Sequence, residues 1–253
     1  MALPRVFADA DRIAGQEIEL NGEPFHHLAV VLRRTVGDRF YAIDPTGGAE
    51  HLIEILTIND RTIRGRILER VETREQPAME LTLYQGLPKG KRFPLILQKC
   101  TELGVARIVP VLTGRSVVRL DGQAAADKLT RWAKIVQEAA RQSMRPTPPQ
   151  VTEPMQFAEA VADWRASGKV GLFFDEGLAG DQEHTLTHAM AELGLHRELA
   201  VFVGPEGGFT AQEAQTATDA GLVSVSLGNR ILRTETAAIV ACAIVMYECG
   251  ELG

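Results

Sequence analysis

The chain of 253 residues is poor in cysteine and in long apolar runs, and its carboxy-terminal part has little positive charge. The three cysteines, Cys100, Cys242 and Cys249, stand in no metal-like spacing, and their number is odd. A chain of this length buries a sizeable core without disulfides, so a reducing, cytoplasmic compartment is the expectation. No run of 18 apolar residues occurs, so no membrane span is expected. The opening "MALPRVFADADR" carries acids early and no long apolar region, unlike a secretory signal. Also missing are the Gly-Lys-Ser/Thr of a phosphate loop and the G-x-G-x-x-G dinucleotide fingerprint. His184 and His188 in "HTLTH" lack the Glu of a zinc-protease motif, and His26-His27 have no partners at ligand spacing, so no metal is expected.

Charge is unevenly spread. Residues 1–150 hold 22 Lys+Arg against 18 Asp+Glu, whereas 151–253 hold 5 against 15. The balance of +4 in the first part, within a net charge of −6, points to a polyanionic partner for that part.

Two patterns follow one another along the chain. Residues 1–73 read as β-rich, with extended runs at Arg39–Asp44, His51–Ile58 and Thr62–Val71 separated by "PTGG" and "NDR" turns. Ile63, Gly65 and Ile67 alternate with Arg64, Arg66 and Leu68, which leaves one face wet. Pro24–Arg34 has helical spacing. Short, closely spaced strands suggest a small barrel. "ETREQPA" is the linker candidate, and 74–253 alternates strands with helices, the pattern of an α/β domain with a mostly parallel sheet. Its strands are expected at Leu81–Gln85, Arg107–Leu112, Lys169–Phe174, Leu199–Val203 and Leu222–Leu227.

In a parallel sheet, ligands sit beyond the carboxyl ends of the strands. Three such ends carry loop chemistry: "GLFFDEG" (171–177), "VGPEGGF" (203–209) and "SLGNRILRTETA" (226–237). "VGPEGGF" is nearly bare of side chains, and Thr210 with Glu213 forms a capping box for the helix after it. "SLGNRILRTETA" leads into a helix that is apolar all round, expected to be buried, with Thr234 or Thr236 as its cap. Backbone N–H and C=O groups gathered in this way suit the base and ribose of a nucleoside.

"GPEGGF" followed by "LGNRILRTETAA" resembles the RsmE-type SPOUT methyltransferases, which methylate N3 of a uridine in 16S ribosomal RNA. "RVF", "HHLAVVLRRTVGD", "GLPKGKRFPLILQKCTELGVARIVPV" and "WAKIVQEAARQSMRPTPPQV" extend the resemblance over the whole chain. It implies a PUA-like RNA-binding barrel over 1–73 and a SPOUT α/β domain with a deep trefoil knot over 74–253. It further implies a homodimer and S-adenosylmethionine as cofactor, with 16S rRNA or the assembled 30S subunit as partner. Cofactor contacts carried over are Phe173, Phe174, Gly204, Pro205, Glu206, Gly207, Gly208, Leu227, Gly228, Ile231, Leu232, Arg233 and Thr234. The family commonly has Gly where Met144 stands. Two rival readings are a 2′-O-ribose methyltransferase of the same superfamily and a non-catalytic RNA-binding or ribosome-assembly protein.

Methylation at N3 must deal with a weakly acidic proton, through a base or a cation that stabilises the developing anion. Arg233 is the candidate stabiliser and Glu206 or Glu235 the candidate carboxylate, with helix N-terminal stabilisation the favoured role for Glu235; Arg145 or Arg141 would orient the base or its phosphate. Phosphate contacts are expected from Arg5, Arg33, Arg34, Lys89, Lys91, Arg92, Arg115, Arg119, Arg141 and Arg145. Reversing Lys91 and Arg92 to Glu is expected to weaken RNA binding and flatten its salt dependence; unchanged affinity and slope would count against this patch.

Overall fold

A computed structural model describes residues 3–8, 12–43, 49–72, 79–116, 122–181, 183–194 and 196–252. Its contacts divide into two units: 1–76 with 140–148, and 77–139 with 149–253. The "PTGG" turn, most of the "ETREQPA" stretch and Arg119 lie outside the described residues.

The first unit is a six-stranded sheet of β1 (Arg5–Phe7), β2 (Ile13–Ala14), β3 (Glu17–Asn21), β4 (Arg39–Ile43), β5 (Ala49–Ile58) and β6 (Thr62–Glu72), in the order β1-β4-β5-β6-β3-β2. Only β1–β4 is a parallel pair. The alternation read in β6 is real. Ile63 is buried with Phe40, Ile53 and Leu20, while Arg64 and Arg66 face outward and pair with Glu19 and Glu54. Gly65 lies against Ile53 of the neighbouring strand so closely that a Cβ would overlap it. The helix expected over Pro24–Arg34 is shorter and wider. It starts as α1 (Gly22–Phe25) and opens into a π-helical turn, His26–Val31, which closes where Arg33 adopts φ 51°. Met144 is likewise left-handed at φ 58°, a conformation that glycine adopts more readily than methionine.

The second unit is a parallel sheet. Strands β7 (Glu80–Gly86), β8 (Arg107–Leu112), β10 (Met155–Gln156), β11 (Val170–Phe174), β12 (Glu198–Val203) and β13 (Val223–Val225) run in the order β10-β8-β7-β12-β11-β13, and β9 (Gln150–Val151) also pairs with β8. Every one of these pairings is parallel. Helices cover both faces, which is why the strands read as continuous apolar runs. On one face Leu81, Leu83, Val201 and Val203 pack under α2 (Arg92–Glu102), α5 (Leu186–Leu193) and α7 (Thr234–Glu248), together with Trp132 and Val136 of α3 (Gly122–Gln142). On the other, Tyr84, Val109, Phe173 and Phe202 pack under α4 (Phe157–Ser167) and α6 (Ala211–Ala220). Helix α7 is apolar all round but only half buried. Ala238, Ala241, Cys242 and Val245 face the sheet and α2, whereas Tyr247 is 64% exposed. Among the described residues no helix is long and apolar enough to cross a membrane.

At the edge of the second core an ion pair replaces apolar packing. Arg107 grips Asp163 with two hydrogen bonds, 2.7 and 3.1 Å, and the Tyr84 hydroxyl donates to the same carboxylate at 2.6 Å. These donors, Arg107 foremost, hold the Asp163 carboxyl below the usual range. Its stabilising contribution is therefore complete above the unfolded value near pH 4 and is lost as pH falls through the lower folded value. Asp163→Asn is expected to cost about 1–3 kcal/mol at neutral pH and to flatten the acid limb of the stability curve. Urea unfolding from pH 7 to pH 2 measures both, and parallel acid limbs would contradict the assignment.

Candidate active site

The carboxyl ends of β11, β12 and β13 meet at one cavity of about 470 Å³. Its walls come from the loop after β12 (204–210), the loop after β11 (175–179) and the segment between β13 and α7 (226–233). A buried side chain holds these pieces in place. Gln85, at the end of β7, directs its amide nitrogen at Gly86 O (2.9 Å), Gly204 O (3.3 Å) and Thr234 Oγ1 (3.0 Å). The Thr234 hydroxyl donates to Gly204 O at 2.6 Å. Thus Thr234 does not cap α7, as expected of it; Arg233 is the N-cap residue, and Thr234 ties the helix start to the glycine loop.

Glycine is required here by close approach. A Cβ on Gly86 would overlap Pro205, and one on Gly204 would lie 3.0 Å from Gly208 Cα. Gly208 has φ 66° and sits against Glu176. The capping box at α6 forms as expected, with Glu213 N donating to Thr210 Oγ1 (3.2 Å) and Thr210 N to Glu213 Oε2 (2.8 Å). Glu213 also accepts from Gly114 N at 2.8 Å, and Arg115 donates to Gly207 O at 2.6 Å, so the loop after β8 braces the glycine loop from behind.

Of the cofactor contacts carried over, Phe174, Gly204, Pro205, Glu206, Gly208, Leu227, Gly228, Ile231, Leu232, Arg233 and Thr234 line the cavity. Phe173 does not. Successive residues of a strand face opposite sides, so Phe174 turns toward the cavity while Phe173 packs against the tilted ring of Phe209, centroids 4.4 Å apart, in the opposite core layer. Gly207 lies behind the wall, its carbonyl taken by Arg115. Ile231 is 76% exposed at the mouth.

The charged candidates also sort differently. Arg92 lines the cavity and pairs with its carboxylates. Its Nη1 donates to Glu206 Oε1 at 2.7 Å, and its Nε stands 3.5 Å from Glu235 Oε2. Glu206 is correspondingly not a free base, because the same oxygen accepts from Lys89 N at 3.0 Å. Arg145 belongs to the first unit and is absent from the cavity lining; burial pulls its guanidinium down to about 10. Arg141, also in the first unit, is 3.9 Å from Glu23, and Arg5 pairs with Glu50 and lies over the Tyr41 ring. Arg33 is exposed and Arg34 half-buried. Lys89 and Lys91 are the exposed pair in the loop after β7, so charge reversal at Lys91 alone probes that patch without disturbing the cavity.

Sequence reasoning missed Gln85, and it gave no individual role to Asp175, Glu176 and Ser226, although they lie in the strand-end loops it singled out. The signal for Gln85 was a polar residue closing an apolar strand just before a glycine, in "LYQG". Among the described residues no group of three or more metal-binding side chains occurs.

A family model described as an RNA methyltransferase domain matches residues 74–246, most of the chain. Fold and site thus define the class, an α/β RNA methyltransferase. The chain is 31% identical to ribosomal RNA small subunit methyltransferase E of Bacillus subtilis, over 90% of this chain and 89% of that protein. It is 33% identical to the protein of the same name from Synechocystis, over 94% and 76% respectively. A crystal structure of a ribosomal RNA small subunit methyltransferase E from Neisseria gonorrhoeae bound to S-adenosyl methionine matches with a TM-score of 0.74 and 32% identity, over 97% of this chain and 98% of that one. The chain belongs to the ribosomal RNA small subunit methyltransferase E family.

The clamp has a direct test. Thr234→Val leaves Gly204 O without its closest donor and is expected to cost about 1–3 kcal/mol. Thr234→Ser should recover most of it. Denaturant unfolding of the three proteins makes the comparison, and equal midpoints would show that the clamp contributes nothing.

Proposed function

We propose that this protein transfers the methyl group of S-adenosylmethionine to N3 of a uridine in 16S rRNA of the small ribosomal subunit, acting as a cytoplasmic homodimer on rRNA or the 30S particle. The cavity carries the reading. Its volume is within the range of small-molecule sites, and its walls combine apolar side chains and main-chain groups of the glycine-containing loops with charged residues of both signs. Such walls fit a nucleoside with an attached amino acid. Gly204, Pro205, Leu227, Gly228 and Leu232 would hold the adenosine part, with Arg92 and Glu206 providing both signs of charge for a zwitterion. When bound, the cofactor supplies a methyl group on a positively charged sulfur.

The chain's own residues then orient and stabilise. Arg233, at the start of α7 on the cavity wall, offers a cation to the oxygens of a uracil losing its N3 proton. The central place of β12 between β7 and β11 accords with a knotted C-terminal segment. The half-exposed apolar face of α7 accords with a dimer interface there. A PUA-like barrel over 1–73, and the methyltransferase domain over 74–253, complete the reading. Exposed Arg33 in the first unit and exposed Lys89 and Lys91 in the second are its RNA-phosphate candidates.

Calorimetric titration with S-adenosylmethionine should show one site per chain. Methyl transfer onto small subunits from cells lacking the protein, followed by nucleoside mass analysis, should yield N3-methyluridine. A ribose-methylated nucleoside would establish the 2′-O rival instead, and absence of cofactor binding would favour an RNA-binding protein without activity.

A further inference from the structure

Four carboxylates line the cavity, and their partners differ. Asp175 Oδ1 accepts from Gly177 N at 2.9 Å and so shapes its own loop. Glu176 is exposed and stands against Gly208. Glu206 is a clamp, with Arg92 Nη1 and Lys89 N both on Oε1, which ties the loop after β12 to the start of α2. Glu235 is unlike these. Its side chain is only 15% exposed, and Oε2 is shielded from water with no hydrogen-bond donor. The nearest cation is Arg92, whose Nε is 3.5 Å from that oxygen, too far for a hydrogen bond but close enough to hold the charge in place.

Building on the methyltransferase reading above, we propose that Glu235 accepts the N3 proton of the target uracil, with Arg92 as its positioning residue. A mostly buried carboxylate on the wall of the cavity, whose inner oxygen Oε2 has no hydrogen-bond donor, is placed to take a proton from a weakly acidic N–H that enters the cavity. The proton moves from N3 to a Glu235 oxygen. The electron pair left on the ring forms the new bond to the methyl carbon, and the carbon–sulfur bond breaks with its pair remaining on sulfur, which becomes a neutral thioether. Glu235 then returns the proton to water. Uridine and the sulfonium donor thus become N3-methyluridine, the demethylated donor and one proton. The other charges around this carboxylate are Glu206 from the loop after β12, Arg230 and Arg233 from the segment before α7, and Asp175 and Glu176 from the loop after β11. Arg233 would balance the negative charge that develops on the uracil oxygens while Glu235 takes the proton.

The test compares wild type, Glu235→Gln and Glu235→Asp. Glu235→Gln should lose about 100-fold or more in turnover at pH 7. Its affinity for S-adenosylmethionine, measured by calorimetry, should stay within about threefold. Its residual rate should climb about tenfold per pH unit toward the range where uridine ionises unaided, while wild type stays flat. RNA containing 5-fluorouridine, whose N3–H is more acidic, should recover part of the lost rate in Glu235→Gln and change wild type little. Glu235→Asp keeps the carboxylate and should retain the wild-type pH profile at a lower rate, so it carries the test if the Gln variant does not fold. A readout without turnover is the affinity for RNA carrying uridine against N3-methyluridine at the target. Wild type should discriminate between them, and Glu235→Gln should discriminate less. Turnover within about threefold of wild type, a parallel pH profile, or a rate loss matched by lost cofactor affinity would each overturn the assignment. Wild-type methylation of a ribose oxygen would instead overturn the reaction on which it rests.

Discussion

One buried amide determines where the cavity forms. Gln85 is fully buried, and its nitrogen faces acceptors from β7, from the loop after β12 and from α7, residues far apart in the chain. Amide N–H groups left unpaired at that depth would be costly, so the three segments are held together by the need to satisfy them. The Thr234 hydroxyl adds a second bond to Gly204 O. The glycines then follow. With the segments drawn this close, Gly86 cannot carry a side chain against Pro205. The bare loops are thus the result of tight convergence, and their exposed main-chain groups are left to face a ligand.

Around that fixed point the charged residues divide the work. Arg115 and Glu213 brace the glycine loop from the side away from the cavity, and Arg92 braces it through Glu206 from the front. Salt bridges between half-exposed groups contribute little individually to stability. Their effect here is geometric, since each removes a freedom from a loop that has almost no side chains of its own to anchor it. A ligand binding such a preformed wall loses less to the ordering of the protein.

Much of this was legible in the sequence. The α/β alternation, the strand at Arg107–Leu112 and the Thr210–Glu213 capping box are local patterns, and local patterns are what a sequence displays. The two loop motifs were legible as well, being short and distinctive. What was hidden depends on distance or phase. Gln85 takes its role from residues more than a hundred positions away. Phe173 and Phe174 are the same residue type side by side, and only the phase of the strand against its neighbours decides which one faces the cavity. Arg92 read as one of a basic cluster, because its two carboxylate partners come from other loops. The π-helical turn at His26–Val31 escaped because its spacing differs from an ordinary helix by a fraction of a residue per turn.

The position of β12 bears on how the molecule comes into being. This strand lies in the middle of the second sheet, between β7 and β11, yet it is the sixth of the seven strands to be synthesised. On a chain growing from its amino end, β7 and β11 must wait with unpaired edges until Val203 has emerged from the ribosome. Pairing between such remote segments is slow, and exposed edges invite association with other chains. Assembly of the sheet is therefore an event of late translation, and a nascent chain stopped short of β12 has no centre on which its two halves can join.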